Sequence, residues 1–418
     1  MGMPEERMSK SSQSRYLLVL ISCCLMAASS VGVFTNSVGV FYSKVSSDLG
    51  VGRGSFAFHA TLCSLVMGFL CPVAAKLMKC FRFRPLMIIG SLLSAGATAL
   101  MAFSNNVWMF YLLGAVRGIG MTTFSLMAVT TLINNWFKEK HGLAVGIALS
   151  FSGLAGAIFN PLFSAIISGT SWRAAFLWMG IIGFVLTLPG MLFLEFRPEQ
   201  AGLLPYGSDT SRPTAQSLKN SSLPGPVIYI PALVVLSLMT LLHTSVTGIA
   251  QHFPGMSEWM GYKVSVGAAM VSAGMIGNIV SKLVIGTLSD RIGPFRSSMC
   301  MILINAAALV LLLLLSGSSP ILMYGIAFLY GTVYAVGAVG IPLLTRKLFG
   351  MENYVSAYAV ITIFTSVGSA SALTIIGLVY DLTGGYTGAI LGGISIDLIN
   401  LIILFILTRI YKRKLQNA

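Results

Sequence analysis

The chain has 418 residues, of which 56% are hydrophobic and only 9% are charged, and its mean hydropathy is +0.86. Soluble domains carry roughly 25% charged residues, so a water-soluble enzyme or binding domain is excluded, and a helical protein that crosses the bilayer many times is expected. The net charge of +14 does not indicate a nucleic-acid partner, because the bases sit in short clusters between apolar segments, as membrane topology signals do.

The polar tail Met1 to Arg15 leads into an apolar run at about 16–42. That run lacks a small-residue cleavage site, so a first span is expected here and not a removed signal peptide. Apolar runs follow at about 56–77, 85–104, 107–132, 142–167 and 174–194. The stretch Phe196 to Pro226 is rich in Pro, Ser and Gly and reads as a flexible linker. Six more runs follow at about 227–251, 265–288, 298–316, 320–343, 354–379 and 386–409. The expected fold is all-α with twelve transmembrane helices: a six-helix bundle in 1–195, a cytoplasmic linker over 196–226, and a second six-helix bundle in 227–418. Many runs exceed the roughly 20 residues a bilayer needs, so tilt or protrusion is expected. Six cysteines (Cys23, Cys24, Cys63, Cys71, Cys80, Cys300) lack zinc-type spacing and are expected as small buried hydrophobes.

With the N-terminus inside, the inner loops and tails hold 20 of the 26 Lys and Arg, and the outer loops hold 4 (Lys44, Arg53, Arg173, Lys263). This asymmetry places both termini in the cytoplasm and favours an even number of spans. A multi-pass protein of the plasma (inner) membrane is expected. The two remaining bases, Arg117 and Lys282, lie inside spans.

The halves echo each other at an offset of about 212. "RFRPLM" (Arg82 to Met87) sits opposite "PFRSSM" (Pro294 to Met299), Phe137 sits opposite Phe349, and "VRG" at 116–118 falls near "LYG" at 329–331. Two parallel repeats imply a transporter with its substrate site at mid-depth between the halves.

Polar residues within the spans are the site candidates. A Lys at the bilayer centre costs on the order of 2.5–3.5 kcal/mol on insertion scales. Lys282 either snorkels toward the inner surface or binds an anion in a central cavity. Asn278, Gly274 and Gly286 share its helix face, which suits a cavity better than lipid. Arg117 cannot shed its proton and has no obvious acidic partner within the first-half spans, so it is either structurally paired or a substrate contact. Asp397 is the clearly intramembrane carboxylate: a candidate proton site, or a neutral or paired structural group. His243 could titrate near neutral pH or simply pack. Tyr330 and Tyr334, one turn apart, could offer hydroxyls to a carboxylate or serve as packing. No nucleotide-binding motif is present, which disfavours ATP drive.

"GTLSDRIG" (Gly286 to Gly293) resembles the loop signature of the major facilitator superfamily, Gly-x-x-x-Asp-Arg-x-Gly, carried here by Gly286, Asp290, Arg291 and Gly293. Asp290 can cap a helix end and pair with a base across the loop, and Gly293 permits a tight turn. In the first-half copy Met78 stands where Asp would be, although Lys79, Arg82 and Arg84 keep the positive charge. "LLGAVRGIG" (Leu112 to Gly120) resembles the superfamily's fourth-helix motif, which carries an intramembrane Arg.

"NNWFKEKHGLAVGIALSFSG" (Asn134 to Gly153) resembles the span-five entry of the monocarboxylate porter and oxalate/formate exchanger branch, at Trp136, Phe137, Lys140, His141, Leu143, Ala144, Gly146 and Ala148; Glu139 departs from it. That branch has a substrate-binding Arg eight residues before the loop Asp, a place held here by Lys282. Its proton-coupled porters have an Asp four residues earlier, held here by Asn278. The branch's Lys in span one finds its nearest match in Asn36. The exchanger's second cation has no counterpart in 354–379.

The resemblance implies a cofactor-free secondary transporter, not an enzyme, that moves a small mono- or dicarboxylate by alternating access and works as a monomer. Lys282 would bind the anion, with Asn278, Asn36 and a Tyr hydroxyl as hydrogen-bond partners. Coupling would be proton symport, with Lys282 or Asp397 as proton site, or anion exchange. Lys282 could serve both roles, because a bound carboxylate favours the protonated amine and burial disfavours it. The alternative is an exporter of bulky amphipathic anions or drugs.

Overall fold

The computed structural model describes residues 10–208, 230–262 and 264–416. Among them, eleven helical stretches are long and apolar enough to cross a bilayer. One of these, Pro320–Ala372, has 53 residues, about 80 Å of helix rise against a hydrocarbon core of about 30 Å. Its path breaks at Gly350 (φ 70°, ψ 177°), between Arg346 and Lys347 on one side and Glu352 on the other. The left-handed φ suits a residue without Cβ, and the flanking charges place the break at a surface. The stretch therefore holds two spans, which makes twelve among the described residues.

The first six spans are Ser14–Phe41, Arg53–Cys80, Phe83–Phe103, Val107–Trp136, His141–Gly169 and Trp172–Phe193. Spans seven to nine are Ile230–His252, Val264–Ile292 and Pro294–Leu314. Spans ten and eleven cover 320–349 and 351–383, and span twelve is Thr387–Gln416. Local signals start several of them. Asn106 accepts from the Met109 amide ahead of span four, Ser171 accepts from Ala174 ahead of span six, and Ser319 precedes Pro320 at the start of span ten. Each is a side-chain cap or a proline placed where helix amides lack partners.

The repeat is visible in the elements. Spans two and eight start at Arg53 and Val264, and spans three and nine at Phe83 and Pro294, 211 residues apart in both cases. Span four loses helical geometry at Thr122–Ser125, and span ten is irregular at Gly331 and over Val336–Gly340. An offset of 212 carries 122–125 to 334–337, which overlaps the start of the irregular stretch Val336–Gly340. Such breaks are tolerated in a membrane where hydroxyls take up the freed carbonyls. Thr122 donates to Ile119 O, Ser125 to Thr122 O and Thr332 to Leu329 O. Span one widens to a π-helix over Ala28–Asn36.

The start of the expected linker is not loose. The Tyr206 amide donates to Trp136 O (2.8 Å), its carbonyl accepts from the Lys138 amide (2.9 Å), and Tyr16 Oη donates to Leu204 O (2.6 Å). The Tyr16 ring meets Trp136, Phe137 and Tyr206 edge-on. Residues 196–208 thus belong to the first bundle, held by aromatic packing and backbone bonds. Residues 209–226 of the linker lie outside the described residues.

Candidate functional site

Spans five and eight cross between the halves near the face that carries the basic loops, called here the basic face. Glycines set the approach. A Cβ on Gly142 or on Gly286 would collide with the other's carbonyl oxygen, and a Cβ on Gly146 would sit 2.6 Å from Lys282 O. Close helix crossings in membranes use such small residues at four-residue spacing.

Asp290 locks this crossing at its basic end. Its carboxylate accepts from the Gly142 amide (2.8 Å) and the Leu143 amide (2.9 Å). These amides open span five and have no intrahelical partner, and the carboxylate also complements the positive end of the helix dipole. Asp290 therefore caps a helix, but one from the other half of the molecule. Arg291 beside it is exposed, and no ion pair of Asp290 with a base is present among the described residues. Gly293 turns the chain into span nine at φ 86°.

Lys282 lies two turns deeper, about 15 Å of helix rise from the end of span eight at Ile292. It is only 4% exposed. Its Nζ donates to Ser152 Oγ (2.9 Å) and to Leu149 O (3.2 Å), both in span five. Ser152 Oγ in turn donates to Leu149 O (2.7 Å). The ammonium has three donors, and these bonds use two. The ion pairs among the described residues, Lys44–Asp48 and Arg84–Glu195, do not involve it. Lys282 is thus a buried cation whose counter-charge no described carboxylate supplies.

Two asparagines gather at the same stretch of span five. Asn36 Nδ2 reaches Ser152 O (3.4 Å), and its side chain lies against Gly156. Asn278 lies against Gly153, is 3% exposed, and has a buried Oδ1 without a partner. Asn36 is exposed while Lys282 and Asn278 are buried, so Asn36 stands at the open end of the cluster. Gly274, expected on the same face, instead packs near Ala327 O of span ten. Four-residue steps drift around a helix, and by Gly274 the face has turned away from span five.

The structure places the other candidates elsewhere. Arg117 is buried within the first half: its Nε meets Cys63 Sγ (3.5 Å), Ser94 donates to its carbonyl, and its Nη1 has no partner. His243 bonds Val333 O (2.9 Å) through Nε2, joining spans seven and ten inside the second half. Tyr330 Oη donates to Val246 O (2.6 Å), and its ring lies edge-on to Phe253; that hydroxyl is already spent on packing the second half. Tyr334, half-buried, packs against the same apolar cluster. Asp397 accepts from Asn305 Nδ2 (2.6 Å) between spans nine and twelve, fully buried beside Asn400. None of these bonds reaches the Lys282 cluster.

Sequence reasoning missed Ser152. Its signal was present: Gly142, Gly146 and Ser150 form a small-residue ladder at four-residue spacing, and Ser152 continues the polar side of the same helix.

The family model of the Major Facilitator Superfamily matches residues 18–373 and 233–416. The chain is similar to monocarboxylate transporter 13 of Bos taurus, 24% identical over 377 residues that cover 89% of this chain and 84% of that one. It is also similar to monocarboxylate transporter 1 of Mus musculus, 28% identical over 171 residues, 41% of this chain and 34% of that one. Among solved structures it resembles the Major Facilitator Superfamily transporter FucP in the outward conformation, with TM-score 0.65 and 13% identity, covering 95% of this chain and 98% of that one. Twelve spans in two repeats, with a cation at their seam, are thus the frame of a transporter and not of an enzyme, and the chain belongs to the Major Facilitator Superfamily, in its monocarboxylate-transporter branch.

Proposed function

We propose that this transporter carries a small organic anion, a mono- or dicarboxylate, held at Lys282 between the halves. The observation that carries this is the ammonium itself: buried, bonded only to neutral groups of span five, and costly in a membrane unless an anion completes the site. Asn278 and Asn36 flank it with amide groups able to orient a carboxylate. The relatives are named monocarboxylate transporters, which supports this substrate class.

The basic face is read as cytoplasmic, with both termini there and the protein working as a monomer in the plasma membrane. Spans five and eight are closed together on that side, so access to the site is read as coming from the opposite face, by way of the exposed Asn36. Alternating access then requires their basic-side halves to part.

Uptake of labelled carboxylates into proteoliposomes tests the site. Lys282→Ala is expected to lose uptake by more than tenfold, and uptake equal to wild type would overturn the assignment. Lys282→Arg separates two coupling modes. Arg keeps the charge but cannot release a proton. If Lys282 carries the proton, the arginine variant loses pH-driven uptake while retaining exchange. If the protein is an exchanger, counterflow is indifferent to pH in both.

A further inference from the structure

We infer that Ser152 is the keeper of the gate: it holds Lys282 when no anion is bound and competes with the anion for it. The inference rests on the anion site proposed above. Lys282 donates to Ser152 Oγ and Leu149 O, and both acceptors belong to the opposite half of the molecule. These bonds cross the seam that must part for the basic face to open. An empty transporter that opened there would strip a buried ammonium of both acceptors, and an ammonium left unpaired in a membrane interior is strongly disfavoured. A bound carboxylate removes that obstacle by accepting the same N–H groups. Opening of the basic face is thereby tied to occupancy of the site.

The surroundings support a latch in place of a plain binding hydroxyl. Ser152 Oγ uses its own proton on Leu149 O, so it faces Lys282 as an acceptor, as a carboxylate would. An acceptor directed at the cation is a rival of the anion, not a helper. Gly153 and Gly156, on the same helix, lie beside Asn278 and Asn36, and Gly153 leaves room for Ile279, whose Cγ1 a Cβ there would approach to 2.9 Å. Toward the basic face the Asp290 cap and the crossing of Gly142 and Gly286 close the seam with no group that senses the ligand. Lys282 and Ser152 are the pair that links the two events.

Ser152→Ala in the full-length protein tests this. The probe is whichever of lactate, pyruvate, oxalate and succinate most stabilises the wild type. Two quantities are read: the affinity for that probe, and hydrogen–deuterium exchange over residues 141–150 without it. A bond to a charged group is worth at least about tenfold in an equilibrium. The expected result is exchange faster by about tenfold in the empty variant, with affinity unchanged or up to about tenfold tighter. Ser152→Cys, of similar size and a weaker acceptor, is expected to fall between. Weaker affinity in Ser152→Ala, or exchange equal to wild type, would overturn the latch. Lys282→Ala keeps the two proposals apart. If it binds the probe as wild type does, the anion site fails. If it loses the probe while Ser152→Ala behaves as wild type, only the latch fails.

Discussion

The two seams between the halves, related by the internal repeat, are built from different chemistry. Spans five and eight meet through charge and glycine. Spans two and eleven meet through rings and apolar side chains. At the repeat offset of 212, Lys282, Gly286 and Asp290 correspond to Leu70, Ala74 and Met78, while Gly142 and Gly146 correspond to Tyr354 and Tyr358. Gly68 of span two receives Ser366 of span eleven at mid-depth; within span eleven Tyr354 and Tyr358 stack with centroids 5.4 Å apart, and Tyr354 Oη donates to Thr130 Oγ1 of span four (2.7 Å). A duplicated scaffold thus keeps one seam as plain packing and supplies the other with a buried cation and a carboxylate cap. The second carries the buried cation that an anion could engage.

The largest expected effect comes from forcing the glycine crossing. Gly142→Leu would drive a side chain into the backbone at Gly286, and counterflow of a bound carboxylate should fall more than tenfold. Counterflow above half of wild type would mean that the seam is looser than described. Asp290→Asn removes the charge from two amide bonds and should raise exchange over 141–150 by about tenfold. If exchange does not rise, the cap does not hold the gate. Tyr354→Phe, on the other seam, loses one bond between neutral groups, worth about 1 kcal/mol. It should change transport by no more than about fivefold and leave anion affinity alone, and an affinity loss as large as that of Lys282→Ala would erase the distinction between the seams. Smallest is Tyr330→Phe, which unpairs Val246 O far from the cluster. Its expected outcome is a slightly lower melting temperature with binding within about twofold of wild type.

The twelve spans were legible because a bilayer demands long apolar runs, and the division of the 53-residue helix was marked by Arg346, Lys347 and Gly350. Lys282 was legible for the same reason, since a charge in such a run stands out. Ser152 was not. Its role arises where helices 130 residues apart in sequence cross, and a lone serine in a membrane helix most often bonds its own preceding turn, as Ser150 does to Gly146 O. Tyr330 was a candidate ligand because it and Tyr334, one turn apart, could offer hydroxyls to a carboxylate. The partner of the Tyr330 hydroxyl is Val246 O, just where span seven tightens into a 3₁₀ turn from Thr247, a detail of helix geometry and not of residue pattern. The ordered part of 196–208 was hidden because Pro and Gly there shape a docked turn, with Gly202 at φ 70°, as readily as a loose linker.

The central claim is that Lys282 holds a carboxylate at the seam of spans five and eight. Thermal-shift titration of the purified protein with lactate, pyruvate, oxalate and succinate, on wild type and on Lys282→Ala, tests it most directly. At least one acid should stabilise the wild type in a concentration-dependent way, and the variant should show no such shift. Equal stabilisation of both proteins would contradict the claim.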